Sequence, residues 1–293
     1  MSFLLIYQLF LSFLHVTPDH SNLNYSYGMF ERTTLDLWLA KTESPSPLVV
    51  YFHGGGFRWG DKQNANQEFL ENMLENGISF ASVNYRLSSQ APFPAQLQDA
   101  GAAIQFLRGR AEEFNLNPDS FGSMGDSAGG VIALWLAFND DSSDKKSPRN
   151  IFPFEGSTKV QAAVGIATQT TLDPREIFKL FNTNQLEQAL YGFYGMRSTD
   201  DVNNPRFQNL FEWASPINHV DEKDPPVLLH YWQKNEDLPK NVSGEIYIHH
   251  PKFGFHLKEK MDELNVECLL RIYENNPNKA WVEIIDFFNK HLN

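Results

Sequence analysis

A serine lies in the middle of a glycine-rich stretch that follows a short apolar segment. Residues Gly125 to Gly129 read Gly-Asp-Ser-Ala-Gly, which matches the pattern G-x-S-x-G. A serine in this pattern lies on a sharp turn between a strand and a helix, and its small neighbours let the two elements pass closely. Ser127 is therefore the candidate nucleophile. The chemistry that such a serine offers is acyl transfer through a covalent intermediate.

A second glycine run, His53-Gly54-Gly55-Gly56, directly follows the apolar run Leu48 to Phe52. Acyl transfer needs backbone N–H groups aimed at the oxygen that becomes negative, and glycines allow that close approach. A glycine run after an early strand, followed later by G-x-S-x-G, is typical of lipases and esterases. We therefore predict that the N–H groups of Gly54, Gly55 and Ala128 form the oxyanion hole. We expect His53 to hold the glycine loop by hydrogen bonds.

Four motifs together resemble the hormone-sensitive-lipase-like carboxylesterases, near the branch of acetyl-xylan and feruloyl esterases. They are His53-Gly-Gly-Gly-Phe-Arg-Trp-Gly-Asp-Lys62, Asn84-Tyr-Arg-Leu-Ser88, Pro92-Phe-Pro-Ala95 and Gly125-Asp-Ser-Ala-Gly-Gly130. The resemblance covers about residues 27–291. It implies an α/β-hydrolase fold and serine hydrolysis of short-chain carboxylic esters without a cofactor, with sugar acetates or feruloyl esters among the candidate substrates.

The sequence identifies the acid of a Ser-His-acid triad less directly than it identifies the serine. In the fold that the resemblance implies, the chain order is serine, acid, histidine, with the acid in the loop after the seventh strand. The family's acid would fall where this chain has Lys234, and Glu236 and Asp237 follow shortly afterwards. Asp237 is the predicted orienting acid.

The family's histidine would lie between the last strand and the last helix, but residues 274–279 contain none. His291 lies about three helical turns beyond that loop and is too distant. His249, His250 and His256 are the remaining candidates, because loops that leave the carboxyl ends of parallel strands gather on one side of the sheet. His250 is the predicted base.

The absent histidine keeps a second interpretation open, in which the chain is a catalytically impaired homologue that binds a ligand or a partner. A peptidase on the same fold is a third interpretation. An imidazole nitrogen within hydrogen-bond reach of Ser127 Oγ would favour the enzyme.

Apolar runs of strand length alternate with helical patterns along most of the chain. This alternation predicts an α/β fold with a mostly parallel sheet and helices on both faces. An aromatic, helical stretch over 173–213 predicts a small cap inserted into an α/β-hydrolase domain that covers 27–293. The predicted strands cover 33–39, 48–52, 78–85, 120–124, 160–169, 225–230 and 266–273, and the predicted helices cover 66–76, 94–114, 131–138, 253–264 and 280–291, with a turn at 117–119.

Composition limits the class of protein and its partners. Of the 293 residues, 42% are hydrophobic and 20% are charged, which is typical of a globular chain. The formal net charge of −12 disfavours nucleic acid and anionic membranes as partners. The lone Cys268 excludes an internal disulfide and is expected to be buried and inert. We expect a small-molecule ester as substrate and no metal or cofactor, while the oligomeric state stays open.

The first 26 residues form a separate, apolar N-terminal segment. Residues 1–14 carry no charge, but they are too few to span a bilayer. A secretory signal and a packing segment both fit this stretch, so the sequence leaves both a cytoplasmic and a secreted location open.

Overall fold

The computed structural model describes residues 24–139, 156–272 and 277–293, with side chains from residue 280 onward in the last range. The strands are β1 (Tyr25–Ser26), β2 (Thr34–Trp38), β3 (Ser46–Phe52), β4 (Ser79–Val83), β5 (Leu116–Asp126), β6 (Ala162–Ile166), β7 (Val227–Tyr231) and β8 (Cys268–Ile272). The helices are α1 (Gln67–Glu75), α2 (Ala95–Gly109), α3 (Ala128–Phe138), α4 (Pro174–Phe181), α5 (Gln188–Tyr194), α6 (Pro205–Ala214), α7 (Gly244–Tyr247), α8 (Lys252–Glu263) and α9 (Pro277–Leu292).

The strands form one sheet in the order β1-β2-β4-β3-β5-β6-β7-β8. All pairs from β4 through β8 are parallel, whereas β2 runs antiparallel to both β1 and β4. This confirms the predicted mostly parallel sheet. Because all the parallel strands point the same way, the loops that follow β3, β5, β6 and β7 meet at one edge, where ligands bind in open sheets of this kind.

Two apolar layers cover the two faces of the sheet and explain its long apolar runs. One layer joins α2, α3 and α8 to the sheet through residues such as Ile104, Trp135 and Leu257. The other joins α1 and α9 through Phe69 and Phe288. Strands buried on both faces need apolar residues at successive positions, and every residue of β3 and β4 is buried.

Two predicted boundaries are wrong around the start of β5. Helix α2 ends at Gly109 rather than at 114, and β5 begins at Leu116 rather than at 120. Ser46 pairs with Leu116, but Leu48 pairs with Phe121, so β5 carries extra residues between these two pairs. The predicted turn at 117–119 is therefore an irregularity inside a strand, where the Asn117 side chain accepts a hydrogen bond from the Asp119 N–H at 3.1 Å.

The segment between β6 and β7 carries α4, α5 and α6, as the helical pattern predicts. It is fixed to the rest of the molecule by aromatic packing, since Phe93 contacts the rings of Phe193, Tyr194 and Trp213. The division of the chain into one domain over 27–293 with a cap over 173–213 stays a prediction. Most of the N-terminal segment and a predicted surface loop over 140–149 lie outside the described residues.

None of the helices in the described ranges combines the length and the apolar character that a bilayer crossing demands.

The glycines of the nucleophile turn predict a large and local effect on stability. A Cβ on Gly129 would lie 1.9 Å from the carbonyl oxygen of Phe52, whereas a Cβ on Gly109 would meet nothing within 4 Å. We expect Gly129→Ala to lower the free energy of unfolding by about 2 to 4 kcal/mol, because backbone must move to admit the methyl group. The matched control, Gly109→Ala, should stay within about 1 kcal/mol of the wild type. Urea unfolding measures both, and equal stabilities would contradict the tight contact.

Candidate active site

Ser127 lies at the junction of β5 and α3 with φ 50° and ψ −119°. A residue with a side chain rarely adopts a positive φ, and holding it there costs about 1 to 3 kcal/mol. The end of β6 supplies the restraint: the Ser127 N–H donates to the Ile166 carbonyl at 2.8 Å, and the Thr168 hydroxyl donates to the Ser127 carbonyl at 2.9 Å. The serine side chain thus lines a cavity at the sheet edge, as the sequence predicts.

His249 is the histidine that meets this serine. Its Nε2 lies 3.0 Å from Ser127 Oγ, within hydrogen-bond distance. The residue lies between α7 and α8, and the Ile248 carbonyl before it accepts a hydrogen bond from the Gln169 side chain. Gln169 follows β6, so the same part of the sheet restrains both the serine and the histidine. The loop after β7 therefore supplies an imidazole at the nucleophile, as the sequence predicts for this region.

His250, the predicted base, lies elsewhere. Its Nδ1 accepts the Lys252 N–H at 3.1 Å, which leaves Nε2 to donate to the Glu236 carbonyl at 2.9 Å. Both ring nitrogens of His250 are therefore engaged away from Ser127, and the imidazole beside the serine is that of the preceding residue. Neighbouring residues of a turn point in different directions, and the sequence pair His249-His250 carries no signal that chooses between them. His256 lies inside α8 and does not line the cavity.

Asp237 does not lie beside His249 either. Its side chain is exposed, and its charge acts on His250, whose pKa it raises against the lowering effect of burial. The loop after β7 thus brings its acidic residues to His250, the predicted partner of Asp237, rather than to His249.

A different carboxylate, that of Asp126, acts on the histidine at the nucleophile. Burial lowers the pKa of His249, and the charge of Asp126 opposes that shift. The Asp126 side chain accepts a hydrogen bond from the Tyr51 hydroxyl at 2.5 Å. Burial raises the pKa of Asp126, and hydrogen bonding, first of all from Tyr51, opposes the rise because it stabilises the carboxylate.

The glycine loop, residues 53–60, borders the turn that carries Ser127. Gly54 packs against Asp126, since a Cβ on Gly54 would lie 2.2 Å from Asp126 Oδ2. Gly55 and Gly56, with φ values of 108° and 59°, line the cavity instead. Ala128 is the first residue of α3, where a backbone N–H has no partner inside the helix. The oxyanion set of Gly54, Gly55 and Ala128 stays a prediction. Gly56 joins Gly55 at the cavity, and a run of glycines does not reveal which amides face the substrate.

His53 holds the glycine loop, as the sequence predicts. Its Nε2 accepts a hydrogen bond from Arg32 at 3.1 Å, so its Nδ1–H donates to the Gly54 carbonyl at 2.7 Å. The ring stacks on Tyr85 with a centroid separation of 4.4 Å. Burial lowers the pKa of His53 to about 4. A neutral imidazole is thus built into the base of the loop.

The cavity beside Ser127 has a volume of about 430 Å³ and two chemically distinct parts. Its inner wall is apolar and comes mostly from the glycine loop and from the segment between β6 and β7. Its mouth carries charged residues and two exposed indole rings, those of Trp59 (71% exposed) and Trp232 (47% exposed). The apolar wall consists of Phe57, Ala167, Leu172, Ile177, Ala189, Leu190 and Ile248, and the charged residues at the mouth are Arg58, Glu187 and Glu245.

Metal ligands do not converge here: within the described ranges, His, Cys, Asp and Glu form no group of three or more that could hold a metal ion. Cys268 is buried in β8, and burial raises the pKa of its thiol to about 12, which suppresses the reactive thiolate.

Known proteins share this sequence pattern and this fold. Residues 35–248 match the model of the family described as BD-FAE. Esterase LipQ of Mycobacterium tuberculosis is 27% identical over 230 residues, which cover 76% of this chain and 50% of that protein. Carboxylesterase NlhH of the same organism is 32% identical over 100 residues, 34% of this chain and 31% of the relative. The chain thus spans half the length of LipQ and a smaller share of NlhH.

A solved structure of the acetyl ester-xyloside bifunctional hydrolase from Caldicellulosiruptor lactoaceticus superposes with a TM-score of 0.68 at 19% identity, covering 94% of this chain and 98% of that one. An esterase from Thermogutta terrifontis with bound propionate gives a TM-score of 0.63 at 18% identity, covering 92% of both chains. These likenesses confirm the predicted α/β-hydrolase fold.

The buried His53 predicts a dependence of stability on pH. Its pKa is about 4 in the folded protein and about 6.5 in an unfolded chain. Below pH 6.5 the unfolded state therefore binds a proton that the folded state refuses, so stability falls as the pH drops from 6.5 to 4. We expect His53→Asn to be less stable near pH 7 but to lose about 2 to 3 kcal/mol less than the wild type over this range. Urea unfolding at several pH values measures the difference, and parallel curves would contradict a neutral His53.

Proposed function

This chain belongs to the BD-FAE family, and from that premise we propose that it is a serine esterase that cleaves short-chain carboxylic esters through an acyl-enzyme. The observation that carries the proposal is the 3.0 Å contact between His249 Nε2 and Ser127 Oγ at the wall of a cavity of about 430 Å³. The names of the relatives, an esterase and a carboxylesterase, support the same reaction.

The proposed reaction begins with a neutral His249, a state that burial favours by lowering its pKa. Nε2 accepts the hydroxyl proton while Ser127 Oγ attacks the carbonyl carbon. The N–H groups of Gly55, Gly56 and Ala128 stabilise the resulting oxyanion, each by about 3 kcal/mol. The imidazolium then gives its proton to the leaving alcohol. Water enters, loses a proton to the same nitrogen and attacks the acyl carbon. The imidazolium then returns this proton to Ser127 Oγ as the acid leaves.

The position of His249 also favours an enzyme over a homologue that only binds a ligand. That alternative depends on the absence of a histidine before the last helix. The imidazole of His249, at hydrogen-bond distance from Ser127, supports the interpretation that another part of the chain provides the base. The peptidase interpretation has no comparable support.

The finer proposal concerns the substrate. The apolar inner wall suits a short acyl chain, whereas the exposed rings of Trp59 and Trp232 offer flat surfaces for the alcohol part. A sugar acetate fits this division, and a feruloyl ester is the alternative within the same class. The likeness to the Caldicellulosiruptor lactoaceticus enzyme, whose name includes an acetyl ester, supports the acetate.

The base assignment predicts opposite results for two neighbouring histidines. His249→Gln should lower kcat/KM for p-nitrophenyl acetate by about 100- to 10,000-fold, because the general base is lost. His250→Gln should keep most of the activity, since its ring serves the Glu236 and Lys252 backbone. Ser127→Ala should reduce turnover to the uncatalysed rate.

Steady-state hydrolysis of p-nitrophenyl acetate and butyrate measures all three variants. Circular dichroism shows whether each variant is folded. A wild type no faster than Ser127→Ala on either ester would overturn the esterase proposal, and a fully active His249→Gln would overturn the base.

The substrate proposal predicts an effect confined to bulky alcohols. We expect Trp59→Ala and Trp232→Ala each to raise KM for acetylated xylo-oligosaccharides by about 10-fold. This change corresponds to the loss of an aromatic contact worth roughly 1.4 kcal/mol. Their kinetics with ethyl acetate, followed in a pH-stat, should stay near those of the wild type. Equal losses on both substrates would show that the indoles shape the site rather than bind the alcohol.

A further inference from the structure

The loop after β7 does not bring the predicted acid to His249, the base of the proposed mechanism. Asp237 is exposed and acts on His250. A general base becomes positively charged when it takes the serine proton, and a nearby carboxylate stabilises that charge. The question is therefore which carboxylate in the cavity reaches His249.

Asp126 is a carboxylate with a fixed position in that cavity. It lines the cavity together with Ser127 and His249. The hydroxyl of Tyr51 donates to its Oδ1 at 2.5 Å, and burial keeps that hydroxyl protonated by raising its pKa. The glycine loop packs against the same carboxylate, since a Cβ on Gly54 would lie 2.2 Å from Asp126 Oδ2. Asp126 therefore has little freedom to turn away from the cavity.

The other charged groups around the cavity are Arg58 on the glycine loop, Glu187 before α5 and Glu245 on α7. The pKa of His249 responds to the charge of Asp126, and the pKa of Asp126 responds in turn to His249. Asp126 also directly precedes Ser127, whose Oγ lies 3.0 Å from His249 Nε2. The shared cavity and the fixed carboxylate place this interaction at the reacting atoms.

We propose that Asp126, the residue directly before the nucleophile, is the counter-charge that stabilises the His249 imidazolium. The inference rests on the proposed function and adds the acid that the loop after β7 does not supply. The proton moves from Ser127 Oγ to His249 Nε2 and then to the leaving alcohol, while Asp126 stays ionised throughout. Asp126 is thus a positioning residue that acts through His249.

The direct test measures the titration of His249 without any catalysis. In a Ser127→Ala background, NMR follows the imidazole signals with pH in the presence and absence of Asp126→Asn. The negative charge of Asp126 favours the protonated imidazole, so its removal should lower the pKa of His249 by about 0.5 to 1 unit. The amide oxygen of asparagine can still accept from the Tyr51 hydroxyl.

Asp237→Asn is the matched control in the same background. It also removes one carboxylate from a loop at this edge of the sheet, and it should lower the pKa of His250 while it leaves His249 unchanged. The two variants thus address adjacent histidines separately.

The pH profile of the active enzyme gives the second readout. Because the neutral imidazole is the base, kcat/KM falls on the acid side as His249 is protonated. We expect Asp126→Asn to lower the plateau by about 10-fold or more and to move the acid limb to lower pH by the same 0.5 to 1 unit. A purely structural role would lower the plateau and leave the limb in place.

The outcomes separate this inference from the proposed function. An inactive wild type with a shifted His249 titration would reject the esterase and keep the charge pairing. A Ser127- and His249-dependent esterase whose His249 titration ignores Asp126→Asn would overturn the inference. If that variant fails to fold, Tyr51→Phe keeps the carboxylate but removes a donor that offsets part of its charge, so it should raise the pKa of His249. No shift in Tyr51→Phe would then overturn the inference.

Discussion

The left-handed backbone of Ser127 is the constraint on which the site depends. Strand β5 and helix α3 can meet there only because Gly125 and Gly129 let the backbone of β3 pass within contact distance. The same approach brings the glycine loop beside the nucleophile, since Phe52 and His53 continue directly into it. The backbone strain at Ser127 is therefore tied to the position of the proposed oxyanion donors, and neither can be changed independently of the other.

The sequence could predict those strands and helices that have a clear hydrophobic pattern or a local motif. Buried parallel strands need continuous apolar runs, which is why β3 and β4 stand out. The start of β5 did not stand out, because its irregular stretch around Asn117 contains the residue types of a turn. The residue types around Asn117 predict the turn correctly, but they do not indicate that the turn lies inside a strand.

The functional site divides in the same way. Ser127 and Gly55 belong to motifs whose geometry is a property of the local chain. The histidine and its carboxylate are a matter of which loops meet in space, and sequence order could only narrow the base to a few candidates. His249 and His250 differ by a single position, and the contact that separates them depends on a bond from Gln169, some 80 residues earlier in the chain. Asp126 was visible in the motif, but its burial and its partners were not.

The end of β6 has a consequence for how the site tolerates movement. Ile166 and Thr168 hold the backbone of the nucleophile, and Gln169 holds the residue before the base. The same short segment after β6 therefore restrains both Ser127 and His249. Displacement of the helices between β6 and β7 can reshape the substrate cavity while the spacing between oxygen and nitrogen is preserved. Substitutions in these helices can therefore change substrate preference without changing the distance between Ser127 Oγ and His249 Nε2.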